Sequence, residues 1–179
     1  MSNGKRIGFG LIGAGAIGPF HAEAIYDIPD ADFVGICDTD KDRAQALADK
    51  FSVDFVCSDY NELLKRDDIQ IINVATPPFA NEEITIACAE AGKHLIVEKP
   101  MSITLKEADN MTDACKKAGV KLGVIFPMRY HDTAKQIKQM VEEGKLGKMV
   151  LGHASTKWYR SKDYYDVAGW RKTWKGQGG

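Results

Sequence analysis

Three short groups of residues in this chain have the types and spacing of a chemical site. The first is Gly13-Ala14-Gly15-Ala16-Ile17-Gly18, directly behind the apolar run Ile7 to Ile12 and ahead of a helix-like stretch. Gly13 permits a tight turn, Gly15 lets a ligand approach bare backbone, and Gly18 lets a helix press against a strand. A helix N-terminus at that point offers unpaired N–H groups and a positive dipole end, which suits a pyrophosphate. The second group is Asp38, twenty residues after Gly18 at the end of another apolar run. A carboxylate there can accept hydrogen bonds from an adenosine ribose and repel a 2′-phosphate, so the spacing favours NAD over NADP. Capping of the helix that starts near Asp40 is the competing role for Asp38. The third group is Glu98-Lys99-Pro100, in which a strand-end lysine near an oxidised nicotinamide could pass a proton to or from a hydroxyl. A solvated lysine paired with Glu98 is the alternative there.

Such residues need a scaffold, and the order of segments supplies one. Apolar runs at Ile7 to Ile12, Phe33 to Cys37, Phe55 to Cys57, Ile69 to Ala75, His94 to Val97 and Lys121 to Phe126 read as six strands. Helical segments lie between them, which predicts an α/β Rossmann fold: a doubly wound parallel sheet with both faces covered. The first helix carries Ile17, Phe20, Ala24, Ile25 and Ile28 as its expected apolar face, with Pro19 tolerated in the first turn. Helices are also expected over Lys41 to Phe51, Asn61 to Arg66 and Asn81 to Ala91, the last stopped by Gly92. Thr104 with Glu107 forms a capping-box pattern for the next one. In open α/β sheets ligands sit beyond the carboxyl ends of the strands, so Asp38, Thr76-Pro77 and Glu98-Lys99-Pro100 are the strand ends of interest. Residues 1–125 are read as the dinucleotide-binding domain. Residues 126–179 are read as the incomplete start of an α+β substrate and oligomerisation domain, with a helix from Asp132 to Glu143 and a long strand from Met149 to about Tyr159.

Composition narrows the classes further. The chain has 179 residues and a formal charge of −1, with acids and bases interspersed, which gives no footprint for nucleic acid or an anionic membrane. No apolar stretch approaches a membrane span and no signal-peptide pattern opens the chain, so a cytoplasmic location is expected. Cys37, Cys57, Cys88 and Cys115 have no metal-ligand spacing and fall in apolar patterns, so buried free thiols and no metal site are expected.

The glycine loop, Thr76-Pro77, Ala91-Gly92-Lys93-His94 leading to Glu98-Lys99-Pro100, Arg129-Tyr130 and Gly169-Trp170-Arg171 together resemble the Gfo/Idh/MocA oxidoreductase family across essentially the whole chain. The resemblance implies that Gly13, Gly15 and Gly18 hold the pyrophosphate and Asp38 the adenosine ribose. It puts Thr76 and Pro77 along the cofactor groove, Glu98 at the nicotinamide ribose, and Lys99 in the role of the family's catalytic lysine. It also sets Arg129 and Arg171 toward the nicotinamide and substrate. The tail Trp158-Tyr159-Arg160, Tyr164-Tyr165 and Trp170-Arg171 resembles the branch acting on sugars and nucleotide sugars, although core packing explains its aromatic residues equally well. Where family members often carry a histidine after the Thr-Pro turn, this chain has Asn81, expected to serve in helix capping. His21, on the cofactor-side helix, does not match the family's active-site histidine. That histidine and an aspartate belong to a segment expected beyond Gly179, so the chain is expected to be a fragment that binds cofactor and turns over little alone. The implied activity is hydride transfer between a nicotinamide and a hydroxyl-bearing carbon of a sugar, cyclitol or nucleotide sugar, in a homo-oligomer. A dinucleotide-binding sensor or partner module without catalysis is the alternative.

Overall fold

Six parallel strands lie in the order β3-β2-β1-β4-β5-β6 in the computed structural model, which describes residues 6–177. The strands are β1 (Ile7–Ile12), β2 (Ala31–Cys37), β3 (Phe55–Cys57), β4 (Ile71–Val74), β5 (His94–Val97) and β6 (Leu122–Val124). Each is short and largely apolar, and a crossover joins each of the first five to the next, as a parallel sheet buried on both faces requires. Helices α1 (Gly18–Tyr26) and α2 (Lys41–Phe51) cover one face, where Leu11, Ile36, Ala44 and Leu47 pack together. On the other face α3 (Tyr60–Leu64), α4 (Pro78–Glu90) and α5 (Leu105–Ala118) bury Ile72, Val74, Leu95, Val97 and Met111. The chain reaches the β3 edge and then crosses back to β4, on the far side of β1. That reversal opens a crevice between the carboxyl ends of β1 and β4, where such sheets hold ligands.

Local chemistry explains several helix boundaries. Asp40 caps α2 by accepting from the Arg43 N–H at 3.1 Å. Thr104 and Glu107 form the capping box of α5. Helix α4 starts earlier than expected, with Pro78 in its first turn, where a missing N–H costs nothing. The four cysteines are buried and free, as expected.

Two expectations are corrected. On α1 the buried residues are Gly18, His21, Ala22 and Ile25, whereas Phe20 is 66% exposed and Ile17, Ala24 and Ile28 also face outward. The close approach of Gly18 to the backbone of Gly13 sets the rotation of this helix, and the apolar count misses a backbone contact. The strand expected from Met149 to about Tyr159 is not formed; residues 149–160 have no regular structure and are exposed. A strand is stable only when a neighbour pairs its N–H and C=O groups, and among the described residues none flanks this segment. The rest of the tail forms α6 (Asp132–Glu142), α7 (Lys162–Asp166) and α8 (Trp174–Gln177), with 3₁₀ turns at Pro127–Tyr130 and Gly169–Lys172. It returns to the sheet domain where Trp170 packs edge-on against Phe79 of α4, with ring centroids 6.4 Å apart.

Candidate dinucleotide-binding and proton-transfer site

The loop leaving β1 is built around three glycines with different constraints. The Gly13 N–H donates to the Cys37 carbonyl at 2.8 Å, which ties the loop to β2. Its φ is +103°, and a Cβ there would lie 2.6 Å from the Ala75 carbonyl oxygen, so only glycine fits. A Cβ on Gly18 would lie 2.7 Å from the Gly13 oxygen. Gly15 is the opposite case: nothing lies within 4 Å of a Cβ built on it. The amides of Gly15, Ala16 and Ile17 have no acceptor among the described residues, and Ile17 at the α1 N-cap makes no side-chain cap. Open space in front of a bare backbone, with unpaired N–H groups around it, fits a pyrophosphate.

Asp38 closes the adjacent corner. Its Oδ2 accepts from the Ala14 N–H at 2.7 Å and its Oδ1 from the Asp40 N–H at 2.9 Å. The capping role considered for it belongs to Asp40 instead. Asp38 is buried, and Arg43, which is 52% exposed, stands 3.6 Å from its Oδ1 and 3.1 Å from Asp40. A cation therefore sits beside the carboxylate expected to repel a 2′-phosphate.

The ends of β4 and β5 form the other wall, and a residue assigned only to capping joins them. Asn81 is fully buried. Its Oδ1 accepts from the Thr76 hydroxyl at 2.8 Å, while its Nδ2 donates to the carbonyls of Pro100 and Met101 at 3.3 and 3.2 Å. The N-cap of α4 is Pro77, so the expected capping role of Asn81 is replaced by a bridge between two turns.

Glu98 is held by His21, which sequence reasoning passed over. His21 Nε2 lies 3.1 Å from Glu98 Oε1, and the Lys99 N–H donates to Glu98 Oε2 at 2.9 Å. Burial pushes the Glu98 carboxyl up, but the His21 hydrogen bond and charge, with the Lys99 amide and charge, outweigh it and hold the group below its ordinary range. Lys99 is exposed, and its amine has no hydrogen-bond or ion-pair partner among the described residues. The pairing of this amine with Glu98, considered above, is therefore not what the structure contains.

The loop Gly13–Gly18, Asp38, Thr76, Pro77, Glu98 and Lys99 thus share the carboxyl edge of the sheet. Among the described residues Arg129 makes no hydrogen bond or ion pair with them; its guanidinium stacks on Phe126, 4.6 Å from the ring centroid. Trp170 reaches the start of α4 through Phe79, but Arg171 lies over Tyr164 and donates to its carbonyl at 3.3 Å. Among the described residues there is no group of three or more His, Cys, Asp or Glu placed to hold a metal, and no helix long and apolar enough to cross a membrane.

A doubly wound sheet with a glycine loop at its reversal point defines a dinucleotide-binding Rossmann domain. Comparison with known proteins then resolves the class: residues 7–126 match the Gfo/Idh/MocA profile, described as the oxidoreductase family with an NAD-binding Rossmann fold, and the chain belongs to that family. It is 37% identical over 139 residues to the myo-inositol 2-dehydrogenase of Thermotoga maritima, a match covering 78% of this chain and 42% of that protein. With the levoglucosan dehydrogenase of Pseudarthrobacter phenanthrenivorans it shares 31% over 154 residues, 82% of this chain and 40% of the relative. The crystal structure of the WlbA dehydrogenase from Bordetella pertussis, in complex with NADH and UDP-GlcNAcA, superposes with a TM-score of 0.92 at 31% identity. That superposition covers 99% of this chain and 53% of the other. The chain therefore spans about half the length, or less, of these relatives.

Proposed function

We propose that this chain is the cofactor-binding part of an NAD-dependent oxidoreductase that acts on a hydroxyl-bearing carbon of a sugar, cyclitol or nucleotide sugar. One observation carries the reading: the unpaired amides of Gly15, Ala16 and Ile17, the buried Asp38 and the unpartnered amine of Lys99 line one edge of the sheet at its reversal point. When bound, the nicotinamide supplies the hydride acceptor or donor. The loop from Gly13 through Ala14 and Ala16 to Gly18 cradles the pyrophosphate, and Asp38 accepts from the adenosine ribose. Thr76 and Pro77 line the groove, Glu98 meets the second ribose, and Lys99 Nζ holds or releases the proton of the reacting hydroxyl. Arg129, Trp170 and Arg171 serve the nicotinamide and substrate side. The relatives support the substrate class, since their names refer to an inositol and an anhydro-sugar and the solved neighbour carries a UDP-sugar. NAD is preferred over NADP because Asp38 faces the ribose, with Arg43 opposing that preference. On this reading residues 1–125 form the cofactor domain and 126–179 belong to a second, substrate-binding and oligomerising domain, in a cytoplasmic homo-oligomer.

Isothermal titration tests the cofactor assignment: NAD should bind at least tenfold tighter than NADP, a difference of about 1.4 kcal/mol. Binding of neither nucleotide refutes the proposal. In the full-length gene product, Lys99→Ala should lower kcat by roughly 10²- to 10⁴-fold, the usual worth of a positioned acid or base. Unchanged turnover removes Lys99 from the chemistry.

A further inference from the structure

The turn after β5 is gripped from several sides, yet the side chain it displays is left alone. Glu98 is fastened by its two oxygens, one to His21 and the other to the Lys99 amide. The carbonyls of Pro100 and Met101 are fastened by Asn81, and the amides of Ile103 and Thr104 by Glu107. Only the Lys99 amine projects from this stretch without a partner.

Resting on the reading of Lys99 as the proton-handling residue, we propose that His21 is its positioning residue: it draws the Glu98 carboxylate inward onto the Lys99 backbone and so keeps it off the Lys99 amine. A glutamate next to a lysine in sequence is the nearest available counter-ion. An amine paired with it stays protonated and is a poorer base and nucleophile. His21 removes that competitor with one hydrogen bond from a buried ring, 6% exposed, to a carboxylate that is itself only 13% exposed. The ring is in turn oriented by Asn73 of β4, whose amide nitrogen lies 3.3 Å from His21 Nδ1. Nε2 is the ring nitrogen that faces Glu98, and an N–H there donates to the carboxylate. The three residues come from separate parts of the chain: α1 brings His21, β4 brings Asn73, and the end of β5 brings Glu98. The helix that follows the glycine loop is thereby joined to the lysine turn.

Competitive labelling of the folded chain with trace acetic anhydride, read by mass spectrometry peptide by peptide, tests this without any substrate. Lys41 and Lys117, both exposed and away from the turn, serve as internal references. In His21→Leu the freed Glu98 pairs with the Lys99 amine, and the relative labelling rate of Lys99 falls about two- to fivefold, the size of an exposed ion pair. His21→Gln, whose amide can still donate to Glu98, keeps the rate of the parent chain. Adding Glu98→Gln to His21→Leu removes the competing carboxylate and restores it. An unchanged rate in folded His21→Leu, or failure of the double variant to recover, overturns the assignment. If His21→Leu does not fold, His21→Asn carries the same expectation, because it keeps a polar group in the pocket but is too short to reach Glu98. The labelling result is independent of the Lys99→Ala turnover test, so failure of one reading is distinguishable from failure of the other.

Discussion

Replacing Gly15 by alanine should separate ligand binding from folding, and Gly13→Ala supplies the control. At Gly13 an alanine must take a φ of +103°, which costs about 1–2 kcal/mol for an L-residue in left-handed backbone. Its Cβ would also press on the Ala75 carbonyl oxygen at 2.6 Å and carbon at 2.8 Å, backbone atoms that cannot turn aside. Overpacking of that kind adds about 1–3 kcal/mol. Gly13→Ala should therefore lose about 2–5 kcal/mol of folding stability. At Gly15 there is no left-handed φ and no atom within 4 Å of the new methyl. The fold should be unaffected or gain about 0.4–1 kcal/mol from a stiffer unfolded chain. The methyl does occupy the space in which a pyrophosphate meets the Gly15, Ala16 and Ile17 amides. Crowding there by about 1–3 kcal/mol corresponds to roughly 5- to 150-fold weaker NAD binding. Urea unfolding followed by circular dichroism gives the stabilities, and isothermal titration gives the affinities. Parental NAD affinity in Gly15→Ala, or a stability loss as large as that of Gly13→Ala, would refute the assignment of this loop as the phosphate cradle.

Asn81→Leu keeps the bulk of the buried amide but strands the Thr76 hydroxyl and the Pro100 and Met101 carbonyls, so urea titration should show a loss of about 2–4 kcal/mol; a loss below about 0.5 kcal/mol would remove the bridge from consideration. Glu98 is held below its ordinary range, and its contribution is therefore complete above the unfolded pKa of about 4.3 and lost as pH falls through the folded value. The stability difference between the parent chain and Glu98→Gln should accordingly narrow from pH 7 to pH 3, and a widening gap contradicts the sign. Arg43→Ala removes the cation beside Asp38 and should raise the ratio of NAD to NADP affinity about three- to tenfold, with an unchanged ratio excluding Arg43 from cofactor choice.

What was legible in the sequence is what depends on near neighbours. The glycine loop, Asp38 and the Glu98-Lys99-Pro100 turn stand where their spacing put them, because a strand, a tight turn and a helix start are specified within a few residues. The burial of His21 and its contact with Glu98 were missed for a reason visible in α1. Counting apolar side chains selected Ile17, Phe20, Ala24, Ile25 and Ile28, of which Ile25 alone is buried; the helix is phased by a backbone contact at Gly18, which buries His21 and Ala22 with Ile25. Starting the helical register at Gly18 would have placed His21 inside. Asn81 was given a capping role rather than its bridging one because two of its three partners lie 19 and 20 residues away and are carbonyls, which leave no trace in residue type. The strand expected from Met149 has no partner among the described residues, and pairing is not a local property. The stretch from Gly92 to Pro100, which carries part of the family resemblance, divides between two jobs. Gly92 ends α4 with a φ of +72°, Lys93 Nζ donates to the carbonyls of Arg66 and Ile69 at 2.7 and 2.9 Å, and His94 Nδ1 accepts from the Lys121 amide at 3.0 Å. These bonds secure the amino end of β5, while Glu98-Lys99-Pro100 faces the site at its carboxyl end.

The bond from the Ala14 amide to Asp38 has a consequence for anyone seeking to change the cofactor. The carboxylate proposed to read the ribose is also a strut of the loop proposed to hold the phosphates, so the two recognition elements are mechanically one part. Exchanging Asp38 for a small or basic residue to admit a 2′-phosphate would release Ala14 and loosen the cradle on which either nucleotide depends. A redesign has to leave Asp38 in place and work from the exposed rim, where Lys41 and Arg43 can be altered without unfastening the loop.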